Sequence, residues 1–390
     1  MTRTLTAAAL LAATLACSSA HAQQPCSDLP RPVYGIGGSA AKPLIGGVAA
    51  ALSGLADPIT VVYQAPGACF GINAYIDDAP LTGTASYWTA AGEEQLCDLP
   101  APDGVPADFA YMGVNPEACA GGFLPEGIGN FEGPISGWSL IVPEASSQRS
   151  ISSEALYFVY GFGPEGMASP WTVESEVYRR SATSAAQLAI SLVSNVPPDR
   201  FRGLTDARSN GNMVTLVSSS PTPEAAIGFV STEVADANRG IVRTLAYQHL
   251  GQSCAYWPDS SPTAFDKRNL RDGHYYLWSP HRFYAPIDET GAITDPDTAT
   301  FVGYVTGATA PTPEVPALDI TIGVGVIPQC AMNVRREGDL TALMSFQPDE
   351  PCGCYFDFVA TGSTSCTACD DDSDCGADAP SCRFGYCEVR

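Results

Sequence analysis

Pro32-Val-Tyr-Gly-Ile-Gly-Gly-Ser39 opens the folded part of this chain as a short apolar strand that runs into glycines. Ser39 then heads Ala40 to Leu55, a stretch of helical composition and length that stops near Gly54, with Ser39 as its expected N-cap. Ile59-Thr-Val-Val-Tyr-Gln64 follows as a strand rich in β-branched residues and ends in Ala65-Pro-Gly-Ala-Cys-Phe-Gly71. Strand, helix and strand in this order make a βαβ unit, the building block of parallel sheets, so the class is α/β. Ala107 to Met112 reads as a further strand, and Gly133 to Val142 as one that enters a second unit. Inside that unit Ile151 to Tyr160 is expected to be helical. Gln187 to Val193 belongs to a helix starting near Ser181, and Met213 to Val217 and Ala226 to Val230 are expected strands. Tyr275 to Tyr284 is an extended, aromatic-rich segment suited to carry the chain back.

The totals set further bounds. Arg3, the apolar run Ala7 to Ala16 and Ala20-His21-Ala22 form a secretory signal peptide cleaved after Ala22, which predicts a periplasmic or secreted protein without stable membrane insertion. Cys17 keeps a lipoprotein alternative open. Cleavage leaves 13 of the 14 cysteines, an odd number, so disulfides and at least one unpaired thiol are expected. The net charge of −23 argues against nucleic acid as a partner. Residues 135–282 hold 13 acidic and 12 basic side chains, whereas 23–134 hold 12 and 2. Positive charge for any anion site must therefore come mainly from the middle of the chain.

Two places share a design suited to oxyanions. Gly35-Ile-Gly-Gly-Ser39 leads into one helix, and Arg179-Arg180-Ser181-Ala-Thr183-Ser184 leads into another. A helix N-terminus presents unpaired N–H groups and partial positive charge; hydroxyls add donors, and arginine supplies a planar fork. Ordinary N-capping explains the same serines and threonines at either place alone.

With these residues in view, the chain resembles the phosphate-binding proteins of bacterial ABC transporters over roughly residues 32–285. Gly35-Ile-Gly-Gly-Ser39-Ala40 is similar to their first, glycine-rich loop. Val62-Tyr63-Gln64 is similar to their second strand, and Ala107-Asp-Phe-Ala to their third. Arg180-Ser181-Ala-Thr183 is similar to their arginine and hydroxyl segment, and Ala226-Ile-Gly-Phe229 to a later strand. The resemblance implies a two-lobed type II periplasmic-binding-protein fold with mixed sheets. Lobe one would comprise 32–134 and 276–351 and lobe two 135–275, after a leader at 23–31. It implies ligand contacts from Ser39, Ala40, Ala68, Cys69, Arg180, Ser181 and Thr183, with Ser184 in reserve, and a small inorganic oxyanion as ligand. It further implies an ABC-transporter permease as partner, and no catalytic residue, metal or cofactor. Two departures bear on the ligand. Ala68 and Cys69 stand where the family offers a serine, and Met112-Gly113-Val114-Asn115 lacks the acid that accepts a hydrogen bond from protonated phosphate.

Other motifs carry less. Gly161-Phe-Gly163-Pro-Glu-Gly166 matches a dinucleotide-binding glycine pattern, but Pro164 interrupts it and a loop is expected. Ser39-Ala-Ala-Lys42 matches the SxxK of serine acyl-transfer enzymes without their companion motifs. A secreted structural or adhesive protein that reuses the fold without a ligand is the other alternative. His249, His274 and His281 lack zinc-ligand spacing. Residues 352–390 form a cysteine-dense, Asp-rich tail, expected to be a disulfide knot, with calcium at Asp370, Asp372, Asp374 and Asp378 as the alternative.

Overall fold

A computed structural model describes residues 23–389; the expected signal peptide, its cleavage site and Cys17 lie outside the described residues. The chain begins with β1 (Pro32–Gly37), α1 (Lys42–Ser53), β2 (Thr60–Gln64) and α2 (Ala68–Ile76), followed by the β3 (Thr84–Trp88) and β4 (Glu94–Asp98) hairpin and β5 (Phe109–Met112). β1 runs parallel to β2 and to β5, while β3 and β4 add antiparallel pairs at one edge. Side chains alternate between the two faces, as a pleat requires. Val61, Tyr63, Phe109 and Tyr111 face the core shared with α1, and Val62, Ala110 and Met112 face the opposite core. Both faces are covered, which is why these strands read as unbroken apolar runs.

Two long strands link the lobes. β6 (Ile128–Pro143) pairs with β13 (Trp278–Pro286) through its first half and with β10 (Gly228–Ser231) and β11 (Val242–Thr244) through its second. Between them lie β7 (Ser150–Ser152), α3 (Ser153–Phe162), β8 (Tyr178–Arg179), α4 (Ala185–Ser194), β9 (Thr205–Asp206), α5 (Asn210–Ser218), α6 (Thr232–Ala237), β12 (Ala246–Gln248) and α7 (Arg268–Arg271). The return segment packs α8 (Pro296–Thr306) and α9 (Ala317–Gly323) beside α1, and α10 (Gly353–Thr361) begins the tail.

Several expectations require correction. Met213 to Val217 is helical, within α5: Ser209 caps it, accepting from Asn212 N, and Met213, Val214 and Val217 form one apolar face against Ile141 and Val230. Ser39 does not cap α1. It starts a 3-10 turn, Ser39–Ala41, and the α-helix begins at Lys42, with Pro43 in its first turn, where a missing N–H is harmless. The second lobe's arginine-led helix starts at Ala185, four residues later than expected. Gly161 to Gly166 is the end of α3 running into a 3-10 turn instead of an open loop.

The cysteines pair as 26–97, 69–119, 330–352, 354–366, 369–382 and 375–387, and Cys254 is the free cysteine among the described residues. Three of the four bridges beyond residue 325 lie within the tail, which has too few apolar residues to form a core without them.

Candidate functional site

The ends of β1, β2 and β5 and the start of α4 meet at one seam between the lobes. Close backbone approach makes this possible on the lobe-one side. A Cβ on Gly71 would fall 2.6 Å from the Gly37 α-carbon, so α2 lies directly on the end of β1. Gly67, the residue before α2, has φ +132°, a conformation that suits glycine alone. Tyr63 Oη donates to Gly38 O at 2.8 Å and fixes the turn that presents Ser39.

Ser39 is exposed and Ala40 half-buried at the rim. Ala68 and Cys69 are buried as the first two residues of α2, and Cys69 is held by its bridge to Cys119. Cys69 N–H points across the seam and donates to Thr183 O at 3.3 Å, so the two lobes touch through the very groups expected to hold a ligand. Ser181 Oγ and Thr183 Oγ1 are 3.4 Å apart, and Thr183 is exposed. Ser184 is the N-cap of α4: its Oγ accepts from Gln187 N and donates to Ser181 O. That capping role accounts for Ser184 without a ligand.

Arg180 is buried. Its Nη1 donates to Asn210 Oδ1 and its Nη2 to Arg208 O, both at 2.8 Å, while Nε is sealed from solvent without a partner. Burial lowers the guanidinium pKa, and the nearby Asp206 carboxylate opposes that shift. Asn210 Nδ2 in turn donates to Ser231 Oγ at 3.2 Å, at the end of β10.

Two lobe-one features were not legible in the sequence. Tyr111 is buried at the floor of the seam. Its ring is 5.2 Å from that of His281, and burial pushes its phenol pKa up, with the Glu233 carboxylate adding to the shift. Gly113 lies where the lobes approach: a Cβ there would stand 3.2 Å from Tyr111 Oη, a tight contact, and 3.6 Å from Ala185 Cβ of the other lobe. Lys42 does not serve Ser39; its Nζ reaches Glu94 Oε1 at 2.5 Å and Ser86 Oγ at 3.2 Å.

No protein-family model and no curated protein matches the chain. Solved structures do. A phosphate ABC transporter substrate-binding protein with bound phosphate from Clostridium perfringens superposes with a TM-score of 0.51 at 13% identity, covering 76% of this chain and 99% of its own. An ABC-type phosphate transport receptor from Vibrio cholerae gives a TM-score of 0.51 at 16% identity, with the same coverages of 76% and 99%. The mixed sheet, the two linking strands and these matches together establish that this chain has the two-lobed α/β fold of the periplasmic binding proteins.

Proposed function

We propose that this is an exported solute-binding protein that holds a small, phosphate-like oxyanion between its lobes, without catalysis, and delivers it to an ABC-type permease or reports its presence. The observation that carries the reading is Arg180: a buried guanidinium whose Nε lacks a partner, next to the turn that meets the N-terminus of α2. A buried, unpaired cationic donor is unfavourable unless an anion completes it. The phosphate bound to the Clostridium perfringens protein supports the ligand class. The disulfides favour an oxidising compartment, and no helix among the described residues is long and apolar enough to cross a membrane. Commitment of Lys42 to Glu94 and Ser86 argues against acyl transfer at Ser39.

The test is thermal unfolding with phosphate, sulfate and other small anions at constant ionic strength. An anion at a hundred times its Kd should stabilise the protein by about 2.7 kcal/mol, and Arg180→Ala should abolish that shift. A second reading, the fold reused without a ligand, is favoured by the Cys69 N–H to Thr183 O bond, which satisfies one anion-binding donor internally. No shift with any anion would establish that reading instead.

A further inference from the structure

We propose that the cavity between the return segment and the tail is a ligand site of its own, suited to an apolar small molecule that carries one positive charge.

The cavity has a volume of about 930 Å³ and shares no residue with the inter-lobe seam. One side is formed by the end of α8 with the loop after it, residues 304–311, and by the start of α9, including Leu318. The other comes from the tip of the tail hairpin, in which Ser381–Arg383 pairs with Tyr386–Glu388. Glu132, Gln329 and Glu350 complete the lining, which is mostly apolar. Size and character are those of a small-molecule site. Both sides are covalently fixed, since Cys330 in the lining is bridged to Cys352, and Cys382 to Cys369. A cavity held in this way loses little entropy when a ligand enters.

Phe384 is the residue that stability alone does not account for. With Gly385 it makes the two-residue loop of the hairpin, at φ +50° and +82°. Positive φ at both places is what a type I′ turn requires, and Asn-Gly is its favoured sequence; a bulky aromatic at the first place is strained. Yet the Phe384 side chain lines the cavity while 39% exposed, with its ring 5.6 Å from that of Tyr355. Strain retained under an exposed aromatic points to binding.

The polar groups narrow the ligand. Thr306 Oγ1 donates to Val302 O and Thr321 Oγ1 to Ala317 O, both at 2.7 Å. Gln329 Nε2 donates to Glu132 O and Gly133 O, both at 2.9 Å. With these donors turned to the backbone, the lining is poorly matched to a sugar or other polyhydroxy compound. Charge then selects among apolar ligands. Arg383 is paired with both Glu350 and Asp372, and Arg282, buried behind Glu132, is paired with Glu132 and Asp339. Two cations thus stand among four carboxylates, and residues 283–390 hold 17 acidic and 4 basic side chains. Such a field repels an anion and draws a cation. Glu132 and Glu350 are exposed enough to accept from an ammonium group, and the Phe384 and Tyr304 rings suit its apolar body.

Calorimetric titration of the full mature, oxidised protein with naphthylmethylamine, naphthylmethanol and naphthoate tests this, because the three share a ring system and differ in charge. The amine should bind with a Kd of about 0.1 mM or tighter. The alcohol should bind about fivefold more weakly, and naphthoate should show no saturable binding. Glu132→Gln should bring the amine to within about twofold of the alcohol. Phe384→Asn places a favoured residue in the turn, so the Tm should hold or rise while amine affinity falls by about fivefold or more. Absence of saturable amine binding, or naphthoate bound as tightly as the amine, overturns the proposal, and neither result needs a variant. So does a Phe384→Asn or Glu132→Gln protein that keeps the wild-type affinity for the amine.

Discussion

Among the described residues Cys254 lies outside every disulfide, and it is exposed. Its Sγ lies 3.5 Å from Tyr256 Oη, and the phenol hydroxyl donating to the thiolate, followed by Ser253, lowers the thiol pKa. A lower pKa means more thiolate at neutral pH and faster reaction with electrophiles. The unreduced mature protein should therefore take up one equivalent of a thiol-specific reagent, and Cys254→Ser should take up none. Tyr256→Phe should retain the single equivalent but react more slowly near pH 7, because loss of the phenol raises the thiol pKa. Stopped-flow labelling checks both. That one thiol would remain followed from the odd cysteine count; which one it would be depends on pairing in space. Arg180, Ser181 and Thr183 were legible as candidate donors because type and order in the chain suffice to suggest them. Tyr111 was not, since its contact with His281 joins segments more than a hundred residues apart in sequence.

Helices and strands show the same division. β1, β2 and β5 were readable because buried parallel strands need continuous β-branched and aromatic runs, and these contain them. Met213 to Val217 carries similar residues, yet its spacing serves a helix whose apolar face lies on β10 and β6. For so short a run, the choice is made by what it packs against. Docking of the tail follows a like rule. Arg271, at the end of α7, donates Nε to Ala331 O, Nη2 to Gly353 O and Nη1 to Asp357, and its guanidinium sits 4.8 Å from the Phe356 ring. One buried side chain thus joins lobe two's last helix to the return segment and to α10. Arg271→Ala should destabilise the protein by about 3 kcal/mol, since two carbonyls and a carboxylate lose their donor together. Denaturant unfolding of the oxidised protein measures the loss.

For the molecule as a whole, two buried groups make stability depend on pH with opposite signs. Burial pushes the Glu233 carboxyl from 4.5 up to about 7, so the native state holds the extra proton and gains stability as pH falls from 7 to 4.5. His281 is buried with both ring nitrogens unpaired, and desolvation lowers its pKa from 6.5 to about 4. Its native state resists the proton and loses stability as pH falls from 6.5 to 4. Each contribution is about 3 kcal/mol in full, and over their shared window they offset one another. Relative to wild type, Glu233→Gln should become progressively less stable on acidification through that window, and His281→Phe progressively more stable. Urea unfolding across a pH series reads both differences.

The order in which the bridges close imposes its own demand during biogenesis. Among the described residues the first four cysteines pair first with third and second with fourth, 26–97 and 69–119, and the last four repeat the pattern as 369–382 and 375–387. A chain oxidised as it emerges, N-terminus first, meets the wrong partner earliest at both ends: Cys26 encounters Cys69, and Cys369 encounters Cys375, before either native partner arrives. Were bridges to close in that order, native pairing would require thiolate attack that reopens the premature ones, and refolding of the reduced protein should be faster with a disulfide isomerase present than with an oxidant alone.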